Sequence, residues 1–231
     1  MSPRVLESEW LDEPPPGDLR AIRSRADLRR VNAIMGNARS IAGALAPLLP
    51  KEGTLHVADL GAGDGALSLA VASRLQRARV RLSLVDRSPV VHDVTLERLN
   101  ALGWRGAIAA RDVFDFLERS RERFDAIFVN LFLHHFDDAR LRRLLALIAS
   151  RTRVFVACEP RRSPLALAGS RLLWALGCND VTRHDAVVSV KAGFSGSEIS
   201  ALWPQPGRGS IDERAAGPFG HLFAACAATR S

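Results

Sequence analysis

The chain is built around the stretch Val57-Ala58-Asp59-Leu60-Gly61-Ala62-Gly63-Asp64-Gly65, which continues as Ala66-Leu67-Ser68-Leu69-Ala70-Val71-Ala72. The apolar start predicts a buried strand, and the apolar end predicts a helix. Between them lie three glycines at alternate positions, where glycine permits positive φ and lets a ligand approach the backbone closely. The first turn of the helix adds unpaired N–H groups and the positive end of the helix dipole. An ordinary turn between a strand and a helix could also use glycines, so the residues on either side of the turn must distinguish a ligand-binding loop from an ordinary turn.

Two acidic residues flank this turn. Asp59 lies two positions before the first glycine, and Asp86 ends a second apolar run about 20 residues after the glycines, the place where nucleotide sites hold ribose hydroxyls. Dinucleotide folds use Gly-x-Gly-x-x-Gly, with a pyrophosphate at the helix start. The spacing here is Gly-x-Gly-x-Gly, and Asp59 would repel a pyrophosphate. The pattern therefore favours a nucleoside cofactor with a positively charged end.

From residue 54 onward, apolar runs alternate with segments of helical spacing, which predicts a parallel sheet covered by helices on both faces. Ligands of such sheets bind at the carboxyl ends of the strands. Predicted strands are 55–59, 80–86, 107–111, 126–131 and 153–158, followed by a closing strand pair at 210–214 and 219–227. Predicted helices include 66–77, 90–102, 138–150, 163–177 and 186–192. Residues 19–49 predict two helices divided at Gly36, either a cap over the cofactor and acceptor mouth or plain packing against the sheet.

Residues 53–160 resemble the class I S-adenosylmethionine (SAM)-dependent methyltransferases, whose first motif is Asp-x-Gly-x-Gly-x-Gly. The resemblance implies a Rossmann-like α/β fold with a seven-stranded, mostly parallel sheet, a C-terminal antiparallel strand pair and an N-terminal helical cap. It implies SAM as the cofactor and S-adenosylhomocysteine (SAH) as the product. Asp59 would hold the amino group of SAM directly or through water, Asp86 the ribose hydroxyls, and Asp112 the adenine amino group, unless Asp112 only caps a helix. The implied cofactor residues are Asp59, Gly61, Gly63, Gly65, Asp86, Arg87, Asp112, Val113 and Asn130.

The fourth predicted strand leads into Asn130-Leu131-Phe132-Leu133-His134-His135-Phe136, which resembles motif IV of this family and the segment that follows it. The Asn-Pro-Pro-Tyr or Asp-Pro-Pro-Tyr sequence of enzymes that methylate amide or nucleobase nitrogens is absent. Aligned with the His-x-Trp-x-Asp of plant phenolic O-methyltransferases, His134 takes the place of the base, although Phe136 replaces the tryptophan. A neutral histidine can remove the proton of a hydroxyl group at neutral pH. His134 and His135 could equally be structural hydrogen-bonding residues.

A second polar cluster, residues 179–185, lies between two apolar segments and offers His184 beside Asp185 as another candidate base, or merely a helix cap. In this family, an insertion after the fifth strand commonly lines the acceptor pocket, which here corresponds to residues 161–203. The apolar stripe at 165–176 predicts core packing or a pocket for an apolar acceptor. The predicted organisation is a lead and helical cap at 1–50 and a SAM-binding domain at 51–231.

Composition limits the remaining choices. The 231 residues have a net charge of +7, nearly all of it from scattered arginines, and we do not expect nucleic acid as a partner. Three cysteines without C-x-x-C spacing favour a cytoplasmic protein and no metal site. No apolar run is long enough for a membrane span, and the first residues do not resemble a signal peptide. A monomer or a homodimer is expected.

The sequence therefore predicts a SAM-dependent methyltransferase that acts on a small molecule. The preferred acceptor is a hydroxyl of an aromatic, polyketide or phenolic-lipid compound, because the layout resembles bacterial methyltransferases associated with polyketide and phenolic-lipid synthesis. Two alternatives are an RNA or protein methyltransferase, which the positive charge favours, and a catalytically silent protein of the same fold that acts as a partner subunit.

Overall fold

Seven strands form one sheet in the order β3-β2-β1-β4-β5-β7-β6. The computed structural model describes residues 3–11, 18–120, 122–204 and 209–227. Strands β1 to β5 run parallel, and β7 pairs antiparallel with both β5 and β6. The strands are β1 Leu55–Leu60, β2 Val80–Asp86, β3 Trp104–Ala110, β4 Phe124–Asn130, β5 Thr152–Pro160, β6 Ser210–Ala216 and β7 Gly220–Cys226. This is the predicted architecture.

Helices cover both faces of the sheet. They are α1 Leu19–Met35, α2 Asn37–Leu45, α3 Ala66–Leu75, α4 Asp93–Ala101, α5 Val113–Arg119, α6 Asp138–Arg151, α7 Pro164–Arg171, α8 Asp180–Ala192 and α9 Glu198–Leu202. On one face, α2 and α3 bury residues such as Ile41 and Val71 against the sheet. On the other face, α5, α6 and α9 bury residues such as Leu117, Leu144 and Ile199. The strands between the layers are apolar on both sides, as buried parallel strands are.

The two N-terminal helices have different roles. Gly36, at φ 71°, ends α1 and lets α2 leave in a new direction. α2 belongs to the helical layer over the sheet, because Ile41 and Leu45 are fully buried in its core. α1 instead reaches the carboxyl ends of the strands, where Arg29 forms an ion pair of 2.7 Å with Asp64. Of the two predicted alternatives, packing against the sheet therefore describes α2, and a position at the mouth of the site describes α1. Residues 1–2 and 12–17 of the predicted lead lie outside the described residues.

Several predicted boundaries after β5 were wrong. α8 begins at Asp180, not at residue 186, because the Asn179 side chain caps the helix by accepting the Thr182 N–H at 2.8 Å. The predicted helix 163–177 ends at Arg171 and gives way to a 3₁₀ turn, Leu173–Leu176. Leu165 in the first turn of α7, and Leu172, Trp174 and Leu176 around the break, are each 47–61% exposed, so most of the apolar stripe is not core.

Two further boundaries differ near the other strands. β3 starts at Trp104, three residues before the predicted strand, because the buried indole pairs through its N–H with the Arg77 carbonyl. α4 starts at Asp93 instead of residue 90. Within the described residues, none of the helices has the length and apolar character needed to cross a bilayer.

Candidate active site

The three glycines form a tight loop at the carboxyl end of β1. Their φ angles are 79° at Gly61, 54° at Gly63 and 73° at Gly65, all in the region that disfavours side chains. The Gly61 N–H donates to the Val85 carbonyl at 2.8 Å, which ties the loop to β2. A Cβ added to Gly61 would lie 2.5 Å from the Phe132 ring, so that ring can pack over the loop only because glycine is there.

Asp86 fixes the loop from the neighbouring strand. One carboxylate oxygen accepts the Gly63 N–H and the other accepts the Ser88 N–H, each at 2.9 Å. The side chain is half-buried and thus lies at the surface of the cleft, while Arg87 beside it is exposed. Each carboxylate oxygen still has capacity for a further donor. Asp86 therefore lies where the sequence places the ribose-binding acid.

Asp59 lies deeper than the sequence suggested. Its side chain is buried, and the Ser68 hydroxyl of α3 donates to it at 2.5 Å. Burial raises the pKa of Asp59 to about 7; the Ser68 hydrogen bond opposes this shift, and the charges of Asp86 and Asp64 add to it. Asp59 thus joins the end of β1 to the helix behind the glycine loop.

Asp112 and Val113 follow β3 at the same edge of the sheet. The Asp112 side chain caps α5 by accepting the Phe114 N–H at 2.8 Å. The Asp112 cap leaves its other carboxylate oxygen available, so capping and binding of an adenine amino group are compatible. Val113 is buried in the first turn of α5. The adenine role of Asp112 stays a prediction.

Asn130 ends β4 directly beside the glycine loop. Leu60 and Val129 are paired in the sheet, so Gly61 and Asn130 leave their strands side by side. The Asn130 amide donates to Asn32 Oδ1 of α1 at 3.0 Å. The Oδ1 atom of Asn130 is buried and has no hydrogen-bond partner. A buried acceptor without a donor costs free energy, and this one belongs to a residue at the edge of the sheet where a cofactor would bind.

His134 lies in a 3₁₀ turn, Leu133–His135, that follows β4, and it is held by Glu159 at the end of β5. Glu159 is fully buried, and its Oε2 lies 2.8 Å from His134 Nδ1. Its Oε1 accepts the N–H groups of Phe132 and Leu133 at 3.0 and 2.9 Å. One carboxylate therefore shapes the turn, fixes the imidazole ring and turns Nε2 outward from the sheet.

The other ring nitrogen of His134 meets a residue from the start of the chain. Residues 3–11 form no helix or strand and contact α8 and the 3₁₀ turn; we call them the N-terminal strap. From this strap, Glu9 Oε1 lies 3.3 Å from His134 Nε2. Burial alone would lower the pKa of His134, but hydrogen bonds to Glu159 and Glu9 and their charges raise it to about 9. In this arrangement His134 carries a proton at neutral pH.

The other two candidate histidines are placed differently. His135 is exposed, and its ring lies 4.2 Å from that of His134. Ligand atoms of Glu9, His134 and His135 lie within 4.8 Å of one another, close enough for these three residues to hold a metal ion. His184, on α8, stacks on Trp10 of the strap at 4.0 Å and contacts Asp185 at 3.0 Å. The strap thus touches His134 and His184, and the base role of each histidine stays a prediction.

Two residues of this site, Ser189 and Glu9, were missed in the sequence, whereas Glu159 was a candidate only as a residue after the fifth strand that could face the acceptor mouth. Glu159 had a recognisable signal, because an acid at the end of a buried apolar strand must find partners at the carboxyl edge of the sheet. Ser189, whose hydroxyl donates to Glu9, occupies an unremarkable position in α8. Glu9 lies in an acidic, proline-rich lead that gives no sign of tertiary contacts. Only the fold brings these residues together.

Comparisons with known proteins agree with this geometry. Residues 57–154 match the model of the family described as a methyltransferase domain. A search of curated proteins found no match to the sequence. The solved structure of the plantazolicin methyltransferase BpumL, in complex with a monoazolic desmethylPZN analog and SAH, is similar at a TM-score of 0.66 and 14% identity. That alignment covers 94% of this chain and 92% of BpumL.

Two O-methyltransferase structures are similar over part of their length. The mitomycin 7-O-methyltransferase MmcR has a TM-score of 0.56 and 22% identity, with 91% of this chain and 59% of MmcR covered. An O-methyltransferase family protein from Burkholderia thailandensis has a TM-score of 0.54 and 17% identity, with 91% and 60% covered. At sequence identities this low, structural similarity is evidence for the fold alone.

The predicted fold and the predicted methyltransferase are confirmed by these matches. The SAH bound to BpumL agrees with the predicted cofactor, since SAH is the product of SAM. The matched segment contains the glycine loop, Asp86, Asp112 and the His134 turn. Residues 57–154 are therefore a methyltransferase domain, and the chain as a whole has the fold of the class I SAM-dependent methyltransferases.

Proposed function

We propose that the protein transfers a methyl group from SAM to an oxygen atom of a small molecule, the hydroxyl of an aromatic, polyketide or phenolic-lipid compound. The observation that carries this proposal is the buried pair His134–Glu159, which lies at the carboxyl edge of the sheet beside the glycine loop. A histidine oriented by a carboxylate is suited to managing the proton or the charge of an oxygen acceptor.

The residues around the glycine loop fit SAM. A Cβ on Gly63 would meet no protein atom within 4 Å, so there is room for a ligand against its backbone. Asp86 lies beside that space with two carboxylate oxygens for ribose hydroxyls. The unpartnered Oδ1 of Asn130 lies next to the loop and can accept from the amino group of SAM. Gly61, Gly65, Asp59, Arg87, Asp112 and Val113 complete the proposed binding surface.

The acceptor side is proposed to lie between the strap, α7 and α8. A groove there is lined by Trp10, Ser170, Arg171, Arg183 and Val187, among others. Beside it, the surface of α7 and the following 3₁₀ turn exposes leucines and Trp174. An aromatic or lipid-like acceptor would cover such apolar surface, which supports the insertion at 161–203 as the acceptor region. The names of MmcR and of the Burkholderia protein also support oxygen as the acceptor atom.

SAM would supply a methyl group on a positively charged sulfur, which is already a good electrophile. The protein has to align the acceptor with that methyl group, and this alignment lowers the activation barrier by roughly several kcal/mol. His134 faces the acceptor through Nε2. A neutral His134 would remove the proton of a hydroxyl, with an effect of about 10²–10⁴-fold on rate. A protonated His134 would orient an oxygen that has already lost its proton.

The test is SAH formation from SAM with a panel of simple phenols and hydroxylated aromatic acids. We expect His134→Gln to lower turnover by about 100-fold or more while the affinity for SAM changes little, because His134 acts on the acceptor. His56→Gln, at the opposite end of β1, is the matched control and should retain turnover. Equal turnover of wild type and His134→Gln on every accepted substrate would remove His134 from the mechanism.

The cellular setting is also part of the proposal. Cys158, Cys178 and Cys226 are free thiols, and the first two are buried. Thiols that form no disulfide suit a reducing compartment, so we place the protein in the cytoplasm, as a monomer or a homodimer.

A further inference from the structure

The N-terminal strap is anchored at both ends, and the residues between the two anchors lie against the candidate active site. Near one end, the Arg4 side chain donates to the carbonyls of Ala192 and Phe136 at 2.9 and 3.0 Å. It also lies over the Phe194 ring at 4.3 Å. At the other end, the buried Asp185 carboxylate accepts the N–H groups of Trp10 and Leu11 at 2.9 and 3.0 Å. The residues between these anchors are held against the site.

Glu9 is the residue that the strap inserts there. Its side chain is only 12% exposed although the strap itself is largely exposed, and His134 is 3% exposed beneath it. Glu9 Oε1 lies 3.3 Å from His134 Nε2, and the Ser189 hydroxyl donates to the same oxygen. Two donors from different elements therefore converge on one oxygen position. This position lies on the outward side of His134, opposite Glu159.

We propose that this position, between His134 Nε2 and Ser189 Oγ, receives the ionised oxygen of the acceptor, a carboxylate or an acidic phenol, and that Glu9 fills it while the acceptor is absent. The inference rests on the proposed function: it keeps oxygen as the methylated atom, requires that oxygen to be ionised, and extends the acceptors from acidic phenols to carboxylic acids. Glu9 is a carboxylate, so the protein's own side chain demonstrates which chemical group these two donors accommodate. An incoming acceptor must displace Glu9, and hence the middle of the strap.

The charge around His134 supports an anionic acceptor. Glu159 Oε2 faces Nδ1 and Glu9 Oε1 faces Nε2, so each ring nitrogen lies against a carboxylate, an arrangement in which both nitrogens act as donors. A carboxylate is replaced most easily by another anionic oxygen, because a neutral group would leave the protonated histidine with less compensation. Hydrogen bonds from a charged donor to an ionised oxygen are roughly twice as strong as neutral ones.

The transfer step balances without a base. The acceptor oxygen forms its bond to the methyl carbon as the bond from that carbon to sulfur breaks, and the bonding pair stays on sulfur. The anionic oxygen becomes the neutral oxygen of an ester or an aryl ether, and the positive charge on sulfur disappears. No proton has to be removed, so His134 keeps its proton and acts as a donor that positions the oxygen.

Ligand binding to the SAH-loaded protein tests this site, with benzoate and 4-nitrophenolate as anionic probes and benzamide as the neutral analogue of benzoate. We expect Glu9→Ala to bind at least one anionic probe about tenfold or more tighter than the wild type does, because the competing carboxylate is gone. Benzamide should bind the variant about tenfold more weakly than benzoate. Adding Ser189→Ala to Glu9→Ala should weaken binding of the anion about fivefold, since one of two donors is lost.

Glu7→Ala is the matched control, because Glu7 lies on the same strap but pairs with Lys191 at the surface. It should bind the probes as the wild type does. Tighter benzoate binding alone would assign a carboxylic acid as the acceptor, and tighter 4-nitrophenolate binding alone would assign a phenol. Binding of both anionic probes that is equal in Glu9→Ala and Glu7→Ala, or a gain in benzoate affinity that benzamide matches, would overturn the proposal.

A parallel titration of each variant with SAH separates this proposal from the proposed function. Glu9 contacts His134 and Ser189, which are not among the proposed cofactor residues, so SAH should bind Glu9→Ala and the wild type equally. Failure of SAH to bind any variant would contradict methyl transfer, and the same probes would then be titrated into the SAH-free variants to judge the anion site. Normal SAH binding together with no preference for anions would contradict the acceptor site alone.

Discussion

Replacing Gly63 with valine should abolish measurable SAH binding, with a loss of affinity of at least about 100-fold, or about 2.7 kcal/mol. Gly63 has a φ of 54°, which a β-branched residue adopts only with strain. A Cβ there meets no protein atom within 4 Å, so the new side chain would fill the space proposed for the cofactor. Isothermal titration calorimetry of the purified variant measures the effect.

Gly53→Val is the matched control for backbone strain. Gly53 also has a positive φ, 90°, and open space around its Cβ position, but it precedes β1 at the opposite edge of the sheet. We expect it to lose a similar amount of stability, about 1–2 kcal/mol, and to retain the SAH affinity of the wild type. SAH binding by Gly63→Val that equals binding by Gly53→Val would show that the loop is not the cofactor cradle.

Replacing Glu159 with glutamine should lower the free energy of unfolding by about 2–4 kcal/mol. Glutamine keeps one acceptor oxygen but exchanges the other for an NH₂ group, which would face either the N–H groups of Phe132 and Leu133 or the His134 ring. The turn that positions His134 would then lose its shape or its charge partner. We expect methyl transfer to fall with the fold still intact, as measured by chemical denaturation and SAH formation.

Glu213→Gln is a control of the same construction. Glu213 accepts the N–H groups of Ile199 and Ser200 and contacts the buried His221 at 2.8 Å, but it serves α9 and the β6–β7 pair. It should lose comparable stability and retain methyl transfer at permissive temperature. Equal losses of activity in the two variants would mean that Glu159 matters only through stability.

The same pair predicts how stability depends on pH. The folded-state pKa of His134 is about 9, above its ordinary value of 6.5. The contribution of a raised histidine pKa is fully present below about pH 6.5 and is lost as the pH rises through about 9. The unfolding free energy of the wild type should therefore fall across this window. In Glu159→Gln the decrease should be smaller, because His134 has lost one of its two carboxylate partners.

The central part of the fold was predictable because local sequence patterns determine it. Buried parallel strands require continuous apolar runs, and the glycine loop requires residues that tolerate positive φ, so β1 and α3 were found close to their true ends. Asp86 followed from its place after β2. The region after β5 was less predictable, since Asn179 and Thr182 are both good caps, and Asn179 is also held by α1 through the Asp27 carboxylate and the Arg20 carbonyl.

The acceptor side was predictable only in part, for a physical reason. His134 stood out because histidines after β4 suggest chemistry, but its protonation depends on Glu159 and Glu9, which lie 25 and 125 positions away along the chain. Leucines at helical spacing suggest burial, yet the change from α7 to a 3₁₀ turn exposes most of them. Contacts over such separations leave no periodic pattern in the sequence.

The most direct measurement is a calorimetric titration of the wild-type protein with SAH and, separately, with NAD. The glycine spacing, Asp86 and the open space at Gly63 together predict micromolar affinity for SAH and no binding of NAD. Binding of NAD, or no binding of SAH to the folded protein, would contradict the assignment of this loop as a SAM site.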